Sequence, residues 1–322
     1  MFVLGAGVSG LTSAICLAEA GLRVVVQAAE PPLETTSVVA GAVWGVHLVG
    51  ADDRVAGWAS DTRAALVELA SQPETGVRVA VGREVVRTPR EAPPDATDGS
   101  EFTPCPADEI PAGYATGWRV TEPLVAMPVY LGYLRDRFVA AGGQLLAPRS
   151  FTTLAEAARR SAELASPAPV LVNCPGVGAH DLVPDSSVTP VRGQAVVVAN
   201  PGITEFFVGS GEDPSDLTYF FPHEQTVVLG GTHDFGDWSR VPDPATAERI
   251  QAACAAIEPR LAGAAVLGHR VGLRPARPQV RLEAEVIGEA RVVHNYGHGG
   301  GGVTLSWGCA RDVAKLALAA LG

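Results

Sequence analysis

Two glycine-rich stretches hold the residues whose types and spacing point to chemistry. Near the end of the chain, Val292 to Ala310 reads Val-Val-His-Asn-Tyr-Gly-His-Gly-Gly-Gly-Gly-Val-Thr-Leu-Ser-Trp-Gly-Cys-Ala. Gly297, Gly299, Gly300, Gly301 and Gly302 let the backbone come close to a ligand and take positive φ where a turn demands it. Behind them, Leu305, Cys309, Val313, Leu316 and Ala320 recur at three- and four-residue steps. That spacing predicts an amphipathic helix from about Val303 and Thr304 to about Gly322. A strand, a glycine loop and a helix N-terminus in that order offer free N–H groups and the positive end of a helix dipole to a negative or electron-rich group. At the start of the chain, Gly5-Ala6-Gly7-Val8-Ser9-Gly10 follows an apolar strand, Phe2 to Leu4, and opens a helix through Leu11, Ile15 and Ala18. A second strand, Arg23 to Ala28, leads to Glu30, twenty residues past Gly10. Strand, glycine turn, helix, strand and acid form the dinucleotide fingerprint: the turn receives the pyrophosphate and Glu30 accepts from a ribose hydroxyl. The fingerprint does not separate NAD from FAD.

The elements that must position these residues fit a large globular chain. It has 322 residues, 47% hydrophobic and 18% charged, with a net charge of −11. The length suits two interleaved domains, and the acidic balance argues against nucleic acid or an anionic membrane as partner. Five scattered cysteines, with no Cys-x-x-Cys pair, suggest neither a metal site nor a disulfide framework. No uncharged run reads as a membrane span and no basic, then apolar, leader is visible, so the cytoplasm is the expected location. Lys315 is the only lysine while arginine is plentiful, which reads as a coding bias and not as a functional feature.

The Val292–Ala310 stretch, with its His294-Asn295-Tyr296-Gly297 run, its glycines, Gly308 and Ala310, resembles the signature of the D-amino-acid oxidase family. Further segments carry the same likeness: Thr35-Thr36-Ser37 followed by Val39-Ala40-Gly41, Thr189 to Gln194, and Gly230 to Trp238. The resemblance covers essentially the whole chain. It implies a Rossmann-like FAD-binding domain interleaved with an α+β substrate domain on a mostly antiparallel sheet. The expected division is 1–50, 129–184 and 264–322 for FAD, and 51–128 and 185–263 for substrate. FAD is the implied cofactor, a D-amino acid and dioxygen are the small-molecule partners, and a homodimer is the candidate assembly.

An amino-acid substrate presents a carboxylate, for which a planar bidentate donor is needed. Arg274, Arg277 and Arg281 all lie in one extended proline-punctuated segment, and charge alone does not choose among them. The resemblance selects Arg274, in its arginine-proline-x-arginine-proline run, adds the Tyr219 hydroxyl as a second carboxylate contact, and gives the Gly300 carbonyl as acceptor for the substrate amine. For the cofactor it implies Gly5, Ala6, Gly7, Val8, Ser9, Gly10, Glu30, Thr35, Thr36, Ser37, Ala40, Gly41, Gly299, Gly300, Gly302, Val303 and Thr304. The expected chemistry is hydride transfer from the substrate Cα to the flavin, with no general base required.

Two departures from the family stand out. Pro175 replaces a usual threonine or serine, removing a hydroxyl and an N–H next to the cofactor. Ser215 falls where some members carry a lid tyrosine, which predicts a more open pocket. His47 receives no role. D-aspartate oxidase is the nearest alternative, requiring a second basic residue such as Arg119, Arg192 or Arg240. An NAD-dependent dehydrogenase and a redox-silent flavin-binding protein are more distant ones.

Overall fold

The computed structural model describes residues 1–45, 49–91, 102–164, 170–213 and 216–320; His47 and Ser215 lie outside them. In chain order the strands and helices begin with β1 (Phe2–Leu4), α1 (Val8–Glu19), β2 (Val25–Gln27), α2 (Val55–Leu69), β3 (Val77–Val86), β4 (Thr103–Pro104) and β5 (Thr116–Val125). They continue with α3 (Met127–Ala140), β6 (Gln144–Leu145), α4 (Leu154–Leu164), β7 (Val170–Asn173), α5 (Ala179–Leu182) and β8 (Thr189–Ala199). The last third holds β9 (Phe206–Ser210), β10 (Leu217–Pro222), β11 (Thr226–Gly230), β12 (Asp234–Phe235), α6 (Pro244–Ile257), β13 (Val266–Ala276), β14 (Arg281–Ile287), β15 (Ala290–Tyr296) and α7 (Ser306–Ala319).

These strands make two sheets. The first has six, in the order β14-β15-β7-β1-β2-β6, all parallel except the β14–β15 hairpin. Its central strands Phe2-Val3-Leu4 and Val170 to Asn173 are buried along their length, as expected where helices cover both faces of a parallel sheet. The glycine turn Gly5 to Gly7 and the loop after β15 therefore emerge on either side of β7 at the carboxyl ends of parallel strands, where open α/β sheets bind ligands. The second sheet has nine strands, antiparallel throughout except where β3 meets β9. The implied fold class is thus the observed one: a parallel, doubly wound layer and a mostly antiparallel layer threaded by one chain.

Two expectations shift. The strand β13 pairs with β8 over ten residues, so it belongs to the larger sheet although it follows position 264. The chain returns to the first sheet only at β14, because ten residues of antiparallel pairing hold β13 where it is. The last helix begins at Ser306, later than Val303 and Thr304, because Leu305 N–H bonds back to Gly301 O (2.9 Å) and closes a turn first. No helix among the described residues is long and apolar enough to cross a membrane.

Candidate active site

Between the two sheets lies a cavity of about 640 Å³, within the range of small-molecule sites. Every residue the family resemblance selected for cofactor or substrate lines it, from Gly5 to Gly10 and Glu30, through Thr35, Thr36, Ser37, Ala40 and Gly41, to Tyr219, Arg274, Gly299, Gly300, Gly302, Val303 and Thr304.

One end is built for a dinucleotide. Gly5 has φ +109°, and its N–H donates to Gln27 O at 3.0 Å, so the turn is pulled against β2. A Cβ on Gly10 would overlap the Gly5 carbonyl oxygen, which lets α1 start directly under the turn. The N-cap residue, Gly7, has no side chain and the first turn of α1 holds no acid, so no fixed negative charge occupies the positive end of the helix. Ser37 Oγ accepts from Val8 N–H at 3.0 Å, which ties this loop to the start of α1. Thr35 differs: its hydroxyl donates to Pro32 O at 2.8 Å and shapes the loop. Thr304 Oγ donates to Gly45 O at 2.8 Å, tying the two cofactor loops together. Free N–H groups, a clear helix N-terminus and a backbone cradle too tight for side chains fit the diphosphate of FAD. Pro175 lines the cavity too, contributing no N–H.

The other end holds the arginine. Arg277 Nε pairs with Asp185 at 3.0 Å; Arg281 pairs with Glu283 at 2.7 Å and donates to Tyr296 Oη at 2.8 Å. Both are spent on the back of β15. Arg274 alone of the three lines the cavity: Nη1 donates to Thr232 O at 2.9 Å and the guanidinium also bonds Tyr219. Its plane lies against Gly193, where a Cβ would come within 2.5 Å of Nη1 and Nη2. Burial lowers the Arg274 pKa, opposed by Tyr219 and Asp234; arginine stays charged regardless. Burial raises the Tyr219 pKa, opposed by the Arg274 charge, so the phenol remains a proton donor. Tyr219 stacks on Phe221 with centroids 4.6 Å apart. Val43, Val208, Leu217 and Phe221 give the cavity an apolar wall around that pair. Gly299 N–H donates to Pro275 O at 2.8 Å, which fastens the glycine loop beside Arg274 and brings Gly300 into the same chamber.

Of the alternative basic residues, Arg119 lies with Glu109 and Glu205, away from the cavity lining. Arg192 is 4% exposed and consumed by Gln194, Asp234, Ser239 and Val241. Arg240 does line the cavity, but at the dinucleotide end, where it pairs with Glu30 at 2.6 Å.

Residues assigned no site role from the sequence also reach the cavity: Phe221, Val208, Gln194, Trp238 and His298. Only the glycine-loop position of His298 marked it. This imidazole is buried, bonds Asn295 Oδ1 at 3.0 Å, and is lowered to about 4 by burial. His223 is likewise lowered to about 4, by burial first and then by the charges of Arg78 and Arg270. Between pH 6.5 and 4 the unfolded chain therefore binds protons that the folded one refuses, and stability falls as pH falls through that window. Each histidine contributes at most roughly 3 kcal/mol. Thermal unfolding from pH 7.5 downward should show the loss, and His298→Asn should flatten it; equal slopes in the two proteins would contradict this.

Residues 1–316 match the family model described as FAD dependent oxidoreductase. A D-amino-acid oxidase from Rubrobacter xylanophilus is 49% identical, the alignment covering 99% of this chain and 96% of that one. One from Streptomyces coelicolor is 45% identical over 98% and 95%, and a D-aspartate oxidase from Homo sapiens is 34% identical over 98% and 93%. Among solved structures, glycine oxidase from Geobacillus kaustophilus superposes with a TM-score of 0.80 at 18% identity, covering 99% of this chain and 94% of that one, a likeness of fold.

Proposed function

The chain belongs to the FAD dependent oxidoreductase family, and on that premise we propose that it oxidises neutral D-amino acids to 2-oxo acids, ammonia and hydrogen peroxide. The observation that carries the reading is the meeting of Arg274, Tyr219 and the Gly299–Gly300 loop in one chamber with the dinucleotide turn. Bound between the glycine turn and the Gly299–Gly300 loop, FAD would supply the two-electron chemistry that links substrate oxidation to dioxygen.

The chain's own residues do the rest. Arg274 is the bidentate partner for the substrate carboxylate, held flat by Gly193 and oriented by Thr232 O. The Tyr219 hydroxyl adds a neutral donor to the same carboxylate and keeps its proton while doing so. The Gly300 carbonyl accepts from the substrate amine, which enters neutral, so no side chain has to remove its proton before hydride transfer. Three fixed contacts to carboxylate and amine decide which substituent of Cα faces the cofactor, and D-selectivity follows from that geometry. The turn formed by Gly301 to Leu305, ahead of α7, would hold the cofactor's electron-accepting end and offer backbone dipoles to negative charge there.

The apolar wall of Val43, Val208, Leu217 and Phe221 favours an uncharged side chain, because a second carboxylate there would be desolvated without a partner. Arg240, engaged at the opposite end, does not supply one. The test is the visible spectrum of the purified protein without oxygen. D-alanine should bleach the flavin band while L-alanine leaves it. Bleaching by D-aspartate and not by D-alanine would instead favour the acidic-substrate reading.

A further inference from the structure

A short segment after β11 does work that neither half of the site explains. Asp234 to Val241 springs from the larger sheet and is pinned at its base by buried Arg192, which donates to Ser239 O at 3.1 Å and Val241 O at 2.8 Å and pairs with Asp234 at 3.2 Å. Its tip crosses to the other sheet. Arg240 Nη1 meets Glu30 Oε1 at 2.6 Å, and the Trp238 ring packs edge-on against His180 with centroids 5.1 Å apart. Trp238 and Arg240 both line the dinucleotide end of the cavity, as does Glu30. Arg192 itself is 4% exposed, whereas the segment it holds lies at the surface, with Trp238 45% exposed and the Arg240 side chain 49% exposed.

We propose that Asp234–Val241 is a clasp that closes over the adenosine end of FAD, and that Arg240, by holding the Glu30 carboxylate, sets how fast the cofactor leaves. Two physical consequences support this division of labour. Glu30 near a diphosphate is repulsive unless compensated, and Arg240 supplies the opposing charge next to it. The arginine also removes rotamer freedom from Glu30, so the carboxylate waits in the position that accepts a ribose hydroxyl. Trp238, lying across the same end, shields that contact from water. The proposal rests on FAD being the cofactor.

The experiment is the rate of FAD release from the holoenzyme, read as growth of free-flavin fluorescence after dilution, at low and high ionic strength. Arg240→Ala should release FAD roughly 5- to 10-fold faster at low salt, the size of one charge-assisted contact. Arg240→Lys should fall between the two proteins, and high salt should narrow the differences because the pair is exposed. Trp238→Ala, which leaves the ion pair intact, should also accelerate release. Because the pair and the ring are exposed, both apoproteins should unfold at the temperature of the unaltered apoprotein. Release rates unchanged in both Arg240→Ala and Trp238→Ala would overturn the clasp in a protein that is yellow. A preparation with no flavin band would overturn the FAD premise itself.

Discussion

Replacing Arg274 with leucine should lower kcat/KM for D-alanine by about 10²–10⁴-fold, the cost of leaving a desolvated carboxylate without its charged partner. The structure isolates this residue for three reasons. Arg277 and Arg281 are committed to Asp185, Glu283 and the Tyr296 hydroxyl and cannot swing in without giving up those bonds. Gly193 leaves a flat bed for a guanidinium and little else, so the arginine is preorganised. Tyr219 bonds the same group, so loss of the arginine also frees the tyrosine that shares the substrate contact. Arg274→Lys keeps a charge but loses the two-pronged geometry, and should recover only part of the deficit. FAD content should stay near that of the unaltered protein, since Arg274 faces the substrate end and the dinucleotide turn lies at the other. Rapid-reaction measurement of flavin bleaching by D-alanine separates the effect on substrate affinity from that on hydride transfer. A leucine variant within about tenfold of the parent would remove Arg274 from the carboxylate site.

How much of this was legible in the residues differs with the range of the interactions. The β1-turn-α1-β2 unit and Glu30 could be read directly because the deciding contacts lie within thirty residues and their spacing is dictated by backbone geometry. The same holds for Gly297 to Gly302, where the glycine run itself is the signal. The choice among Arg274, Arg277 and Arg281 was not legible from the chain alone. The acid that removes Arg277 from contention is Asp185, 92 positions upstream, and nothing local marks it. Arg192 read as a candidate substrate contact, whereas its partners Asp234, Ser239 and Val241 make it the anchor of a distant segment. Membership of β13 in the larger sheet was hidden for the same reason. Its prolines say extended, but which sheet it extends along depends on β8, far upstream. The start of α7 was misplaced because Leu305 continues the apolar stripe, and periodicity does not distinguish a closing turn from a first helical turn.

A second large effect is expected at Gly5. Alanine there should abolish FAD retention and sharply destabilise the protein, by two mechanisms that add. At φ +109° an L-residue is strained by about 1–3 kcal/mol. Its Cβ would also overlap the carbonyl oxygen of Cys174, a backbone atom held in place because the Cys174 N–H donates to Leu4 O at 2.8 Å. Unable to yield, β7 or the turn itself must move, and overpacking of this kind costs about another 1–3 kcal/mol. Together these amount to about 2–6 kcal/mol, which reaches the lower end of an ordinary domain's stability of about 5–15 kcal/mol. Two other glycines calibrate the claim. Gly21, at φ +83° with nothing within 4 Å of its Cβ position, carries strain without overlap, so Gly21→Ala should lower stability modestly and leave FAD bound. At Gly7 the new methyl would meet Ser37 Oγ at 3.0 Å, a side-chain atom that can shift at the cost of its bond to Val8 N–H, so Gly7→Ala should weaken FAD binding without unfolding the chain. Flavin content and apoprotein unfolding temperature, measured for the three variants together, separate the mechanisms. If Gly5→Ala behaved like Gly21→Ala on both, the close approach of the turn to β7 would not be what holds the cofactor site together.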